Sequence, residues 1–435
     1  MIAGIVAEYN PFHNGHLYHI NKVKEKGAEH IVCVMSGNYV QRGECACLDK
    51  WSRAEMAVRN GADVVIDLPT PWACASAETF ARGAVGLLVD FGVDFISFGS
   101  ECDSKEQLLS CLEALENEKV KENIRKNMAD GMNYPKALTL ALQSECGNET
   151  AEILLSPNST LGLEYLKALK SYGRENDFLP VLRVGAGHDS ENVKDGIASA
   201  SFIREKLFLE DVAAYLPESA VRIITDENEK GFAPCSLRTN ERGILSFLRE
   251  IPKEEYSLYI SDENGLSDRI YSALKTATTL SELYDSVKVK NYTHSRIRRE
   301  ILMLYLRCNR ELSEGTPPYM KILAASEKGI TLLRGAKENS TVPVITRHAE
   351  RESLTDKGKA VYDFECTATD KFSFFSERIE KADLKKAKAF LNAKCKMQNA
   401  KLCRNIKRHL TKRRCLCCYN AKNMLPQDFA NVPMQ

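Results

Sequence analysis

No run of apolar residues in this 435-residue chain approaches the roughly eighteen needed to cross a bilayer. A basic segment leading into a long apolar stretch is likewise missing from its start. These absences exclude a helical membrane span and a secretory leader, so the expected location is the cytoplasm and no membrane partner is expected. An excess of one charge is lacking too: 60 Lys and Arg face 59 Asp and Glu, for a net charge of +1. Global charge therefore selects no partner, and only its local distribution can. Fifteen cysteines are present, yet paired metal-ligand spacings are absent from the main body. Cys33, Cys74, Cys111, Cys146, Cys235 and Cys308 are scattered, which reads as reduced thiols and not as a disulfide framework. The length allows two or three domains, each with its own core.

What is there begins at the first residue. Met1 to Ala7 is a short apolar run with β-branched residues, suited to a buried parallel strand. Asn10-Pro11 breaks it. From His16 the pattern turns helical, with Leu17, Ile20 and Val23 on one face. A strand, a turn and a helix start make an anion site, because unpaired N–H groups and the helix dipole point at the turn. The dipole contributes only about 0.3–1 kcal/mol per exposed charge, so a nucleotide needs further donors. His13 and His16 supply them, and Gly15 leaves room for a phosphate. His13-Asn14-Gly15-His16 carries the His-x-Gly-His signature of the nucleotidylyltransferase superfamily, which includes the class I aminoacyl-tRNA synthetases. That likeness implies ATP, with both imidazoles stabilising charge as pyrophosphate leaves.

Strand-like runs recur at His30–Met35, Asp63–Leu68 and Asp94–Phe98, separated by helical patterns over Asp49–Asn60 and Ser76–Phe91. Such alternation argues for a parallel sheet with right-handed crossovers, a Rossmann-like domain. The polar, Gly-punctuated loop Ser36–Glu44 follows the second strand, at an end where ligands sit in such sheets. Residues 104–145 read as a charged helical insertion on the sheet's rim. Phe178–Val184 reads as a strand, followed by a flexible turn, Gly185–Asp189. In Ile197–Arg204, small hydroxyl residues precede a helix, giving Ser199 and Ser201 as cap and phosphate-loop candidates with Arg204. Amphipathic helices follow from about Leu216, and Arg296, Arg298 and Arg299 share one of them. Arginine suits RNA phosphate, although a solvated helix face would read the same way. Between Lys385 and Arg414 stand twelve Lys or Arg and no Asp or Glu. That block reads as a nucleic-acid arm or a disordered basic tail. Its Cys415-x-Cys417-Cys418 run lacks the usual zinc spacing, and no metal ligands are assigned anywhere.

Taken together, the long stretches Ala7–His16, Met35–Glu44 and Asn60–Pro69 resemble the bacterial tRNA(Met) cytidine acetate ligases. Ser97–Glu101, Ser156-Pro157-Asn158, Arg183, Tyr292–Arg296 and Ala368-Thr369-Asp370 extend the likeness to roughly residue 380. It implies an α/β fold: a Rossmann-like parallel-sheet nucleotidylyltransferase domain over residues 1–213, followed by a mostly helical C-terminal domain over 214–383. Residues 384–435 form a basic, Cys-containing tail that inherits nothing from the likeness. The resemblance also implies ATP binding by Val6, Ala7, Glu8, Tyr9, Asn10, Pro11, Phe12, His13, Asn14, Gly15, His16, Leu17, Tyr18 and His19, and by Gly99, Asn158 and Arg183. His13 and His16 would be the catalytic pair. The implied reaction is activation of acetate to acetyl-adenylate, then acetyl transfer to the wobble cytidine of elongator tRNA(Met).

The residues agree with the first step. Adenylation needs positioning and charge stabilisation rather than a protein nucleophile, and no Ser-His-Asp or Cys-His set is evident. Magnesium is expected to accompany the triphosphate, without a visible carboxylate cage. For tRNA phosphates the candidates are Arg42, Lys50, Arg53, Arg296, Arg298 and Arg299. Two other readings remain at this point: a small-molecule adenylyltransferase making a coenzyme precursor, and a catalytically idle RNA-binding protein.

Overall fold

The computed structural model describes residues 1–132, 134–148, 157–184, 196–207, 212–261, 265–290 and 292–379, together with the strand Phe390–Leu391. The Gly185–Asp189 turn and the rest of the basic tail lie outside the described residues. In chain order the strands are β1 (Ile2–Ala7), β2 (His30–Ser36), β3 (Tyr39–Val40), β4 (Glu44–Cys45), β5 (Val64–Leu68), β6 (Phe95–Ser100), β7 (Phe178–Leu182), β8 (Met320–Ala325), β9 (Val344–Ile345) and β10 (Phe390–Leu391). The main sheet has the order β10-β8-β5-β2-β1-β6-β7, with β9 also on β8. β1 pairs in parallel with both β2 and β6. The strand order thus reverses at β1, and a crevice opens above the carboxyl ends of β1 and β6.

Strand residues alternate between two buried layers. Val32, Val34, Val64 and Ile66 face the helix Ala77–Phe91 through Phe80, Ala84 and Leu88. Ile5, Cys33, Met35 and Val65 face the helices Asn14–Glu25 and Lys50–Arg59 through Ile20, Val23, Ala54 and Ala57. Each fully buried aliphatic chain stabilises by about 1.5–3 kcal/mol relative to exposure, so both helices are held firmly by their apolar stripes.

Residues 104–145 are helical as expected, in Lys105–Glu116, Glu118–Ala129 and Tyr134–Cys146. They are more than a solvated rim. Leu108, Cys111, Leu112, Val120, Ile124, Leu138 and Leu142 are buried in the main core. The charges lie on the outer face while the apolar spacing beneath them does the packing.

The described residues between 214 and 379 are mostly helical, and a separate apolar cluster includes Ile244, Leu248, Ile270, Leu283, Ile297 and Leu304. The same segment also returns to the sheet. β8 pairs antiparallel with β5, Lys321 opposite Asp67, and residues 1–392 form one compact unit. Residues on both sides of position 213/214 thus contribute strands to one sheet. Among the described residues no helix is long and apolar enough to cross a membrane.

Candidate active site

His13 is the N-cap of the first helix, where its backbone is extended. Its Nδ1 accepts the Gly15 N–H at 3.0 Å, and His16 Nδ1 accepts the His13 N–H at 3.2 Å. This is a capping box built from two imidazoles. Because each Nδ1 is an acceptor, each neutral ring must carry its proton on Nε2. The two rings stack with centroids 3.7 Å apart, and Tyr9 and Phe12 pack against His16.

Burial lowers the His13 pKa to about 3, with Arg183 and Arg204 adding to the effect. His16 is pushed well down by burial, then by His13 and Arg183. His19 falls to about 4 for the same leading cause, with Arg183 contributing. Its Nε2 lies 2.9 Å from Ser97 Oγ, which itself donates to Leu179 O. His19 must therefore be the donor in that pair. At neutral pH the site presents neutral N–H donors beside arginines, a setting for a polyanion that does not require imidazolium.

Gly15 has a different role from the one expected. A Cβ there would lie 2.9 Å from His13 Cε1 and 3.1 Å from Nδ1. The space above Gly15 is filled by the His13 ring, so glycine permits the cap. The Gly15 N–H is likewise taken by His13, which shifts anion contact from backbone N–H to the imidazole Nε2–H groups. The expected nucleotide run also divides. Tyr9, Asn10, Pro11 and Phe12 are buried, whereas Asn14, Gly15 and His16 are partly exposed on the helix start. Asn10 braces the turn: its Oδ1 accepts the Cys47 N–H at 2.8 Å and its carbonyl accepts Arg204 Nη1 at 2.8 Å.

Across the crevice, Arg183 follows β7, and its N–H donates to Ser100 O at 3.0 Å. Gly99 lies beneath it; a Cβ there would approach Arg183 Cγ to 3.3 Å. Asn158 donates to Glu101 Oε1 at 2.7 Å. The Ile197–Arg204 segment closes the third side. Ser199 caps the helix Ala200–Lys206, Arg204 Nη2 donates to Ser201 Oγ at 3.3 Å, and Asn14 Nδ2 donates to Gly196 O and Ala214 O. Gly99, Arg183 and Arg204 are thereby gathered with His13 and His16 around one crevice. Within the Ser97–Glu101 motif the sequence assigns a nucleotide contact only to Gly99, and the roles of Ser97 and Glu101 show only in their partners.

Two expected tRNA contacts are overturned. Arg53 is 0% exposed and Lys50 only 4%. Arg53 donates to the carbonyls of Leu48, Glu8, Ser36 and Gly37, which locks the ends of β1 and β2 together. Lys50 Nζ sits 2.6 Å from Asp67 Oδ2 and 3.6 Å from Glu365 Oε2. Neither can reach a phosphate, since both face inward from a helix whose charges have interior partners. Arg298 pairs with Glu44, and Arg299 donates to Gln41 O at 3.2 Å. Their helix, His294–Leu306, rests on Gly43, where any Cβ would strike the backbone at Arg298 and Arg299. These two arginines hold the Ser36–Glu44 loop. Arg42 is exposed at the tip of that loop, and the Arg296 guanidinium lies 5.3 Å over the Tyr292 ring.

A model of the HIGH nucleotidyl transferase family matches residues 1–387. The tRNA(Met) cytidine acetate ligase of Thermoanaerobacter sp. (strain X514) is 37% identical over 379 residues, covering 85% of this chain and 94% of that protein. The chain belongs to the tRNA(Met) cytidine acetate ligase family. The family member of Acetivibrio thermocellus is 36% identical over 388 residues, again 85% of this chain and 94% of its own. The fold agrees as well. The crystal structure of Thermotoga maritima TmcAL bound with alpha-thio ATP superposes with a TM-score of 0.83 at 30% identity, covering 90% of this chain and 99% of that one.

For this ligase-family site the histidine assignment is directly measurable. The unfolded chain binds protons near pH 6.5 that folded His13 and His19 refuse until about pH 3 and 4. Stability from these groups is therefore complete above pH 6.5 and is lost as pH falls below it, by about 1.4 kcal/mol for each tenfold difference in proton affinity between the two states. Assigned imidazole resonances of His13, His16 and His19 should stay those of neutral Nε2–H rings at pH 5.5, while the urea midpoint falls from pH 6.5 toward 4. Resonances of these three rings titrating near 6.5 would contradict the assignment.

Proposed function

We propose that this chain uses ATP to activate acetate and then acetylates the wobble cytidine of elongator tRNA(Met) to N4-acetylcytidine. An acetate oxygen attacks the α-phosphorus, the bond to the β-phosphate oxygen breaks, and pyrophosphate leaves. The cytidine N4 amine next attacks the acetyl carbonyl, AMP leaves, and the amine gives up one proton.

The observation that carries the reading is the stacked pair of neutral imidazoles at a helix start, on the switch point of the sheet. Two preorganised Nε2–H donors in a low-dielectric pocket suit charge that grows on the departing pyrophosphate. Arg183 and Arg204 add fixed positive charge nearby, as their effect on His13 records. ATP would lie from His13 and His16 toward Gly99, Asn158 and Arg183, with Ser199 and Ser201 facing its phosphates.

The crevice offers imidazole, guanidinium, amide and hydroxyl groups, and its Glu101 carboxylate is already engaged by Asn158 and Ser159. Among the described residues no group of three or more His, Cys, Asp or Glu is placed to hold a metal ion. That chemistry does not fit a resident magnesium site, so magnesium belongs with the triphosphate as part of the substrate. Arg42 and Arg296 remain the tRNA-phosphate candidates, and a tRNA substrate places the reaction in the cytoplasm.

Incubation with ATP, magnesium and labelled acetate should label elongator tRNA(Met) but not the same tRNA carrying uridine at the wobble position. Label appearing on neither, with adenylate still formed from acetate, would reject the RNA half of the reading.

A further inference from the structure

We propose that Glu101 is the positioning residue of the nucleotide site, fixing the two groups that address the nucleotide from the β6–β7 side. Three side chains from two elements converge on its carboxylate. Asn158 Nδ2, near the start of the helix Pro157–Lys170, donates to Oε1 at 2.7 Å. The neighbouring Ser159 Oγ donates to Oε2 at 3.0 Å. Arg183 Nε, just past β7, lies 3.6 Å from Oε1. Glu101 itself follows β6 directly, at the carboxyl edge of the switch point.

The chemistry of the carboxylate makes this arrangement directional. An ionised carboxylate only accepts hydrogen bonds, so the Asn158 atom facing it must be the amide nitrogen. The amide orientation is thereby set, and its oxygen is turned away from Glu101 as an acceptor. The same charge attracts the Arg183 guanidinium, which is 45% exposed on its side chain and would otherwise sample many rotamers. Ser159 is fully buried and also lies 3.1 Å from Ser100 Oγ. This second tie fastens the carboxylate's partner to the end of β6. Glu101 acts through Asn158 and Arg183, and its contribution is to have them ordered before ATP arrives.

This inference rests on the ATP reading of Asn158 and Arg183, and the test separates the two. Glu101→Ala should raise the KM for ATP by about tenfold with kcat changed less than about twofold, a loss of uniform binding. The KM values for acetate and tRNA should not move. Glu101→Gln, which keeps an accepting oxygen but not the charge, should recover part of the loss. Because Glu101 works through Asn158 and Arg183, adding Glu101→Ala to the Asn158→Ala/Arg183→Ala double variant should make ATP binding no worse within about twofold. Glu101 is on the surface, so thermal melting should be unchanged in the single variant. A further multiplied loss when Glu101→Ala is added to that double variant would overturn the proposal. So would a normal ATP KM in Glu101→Ala beside a defective Asn158→Ala. A normal Asn158→Ala would instead remove Asn158 from the nucleotide site, and the proposal with it.

Discussion

His13→Ala is expected to slow acetate-dependent adenylate formation by about 10²- to 10³-fold, the loss typical of removing one preorganised donor. The ring is 8% exposed, its Nδ1 is occupied by the Gly15 N–H, and burial keeps it neutral. Only its Nε2–H is left to address the leaving pyrophosphate. The same substitution removes an N-cap, which costs about 1 kcal/mol of stability, so rate and folding must be separated. His13→Asn does this. Asparagine is a good N-cap and would preserve the helix start, but it carries no donor at the position of Nε2. Melting temperature restored in His13→Asn with activity still low would place the loss in the chemistry. Activity returning together with stability would reduce His13 to a cap.

The second large effect lies in the interior. Arg53→Met should destabilise the protein by about 3–5 kcal/mol, within the range for stranding the partners of a buried charge. The four carbonyls of Leu48, Glu8, Ser36 and Gly37 lose their donor at once, and buried unpaired acceptors cost about 1–3 kcal/mol each before relaxation. Against a typical total of about 5–15 kcal/mol, this is enough to deplete the folded state at growth temperature. Arg53→Lys should rescue little, because one ammonium cannot reproduce a planar fork serving carbonyls in several directions. The measurement is urea unfolding, paired with tRNA binding as a function of salt. Removing a phosphate contact lowers the salt slope by about one. An unchanged slope with a reduced urea midpoint is expected, and the reverse would restore Arg53 to the RNA surface.

How much of this was legible in the sequence varies with the range of the interaction. The strand, turn and helix around His13 are local, so the apolar run, the Asn-Pro break and the helical period revealed them. The Asp49–Asn60 helix was found for the same reason, its Asp49 cap accepting from Trp51 and Ser52. Its charges misled. Lys50 and Arg53 look like surface residues because their partners are a strand carboxylate at Asp67, a helix carboxylate at Glu365 and the carbonyls of two strand ends. No periodicity carries that information.

β8 shows the same limit. Met320–Ala325 is apolar enough to read as a strand, but its place antiparallel to β5 is set by a contact across more than half the chain. Lys321 within it is 6% exposed and donates to Tyr362 Oη at 3.1 Å, a pairing that composition hides. Glu101 was visible as part of a motif, whereas its role required the positions of Asn158, Ser159 and Arg183. In the Ile197–Arg204 segment, Ser199 was legible as a cap because capping is a local rule. The reach of Arg204 back to Asn10 was not.

The most direct test of the account is acetate-dependent exchange of labelled pyrophosphate into ATP, measured without tRNA. Adenylate formation as proposed needs only ATP and acetate, so the wild-type protein should exchange label only when acetate is present. His16→Ala should lower that exchange by at least about 10²-fold. Exchange that ignores acetate, or that survives His16→Ala at the wild-type rate, would contradict the claim that this pair of neutral imidazoles drives the activation of acetate.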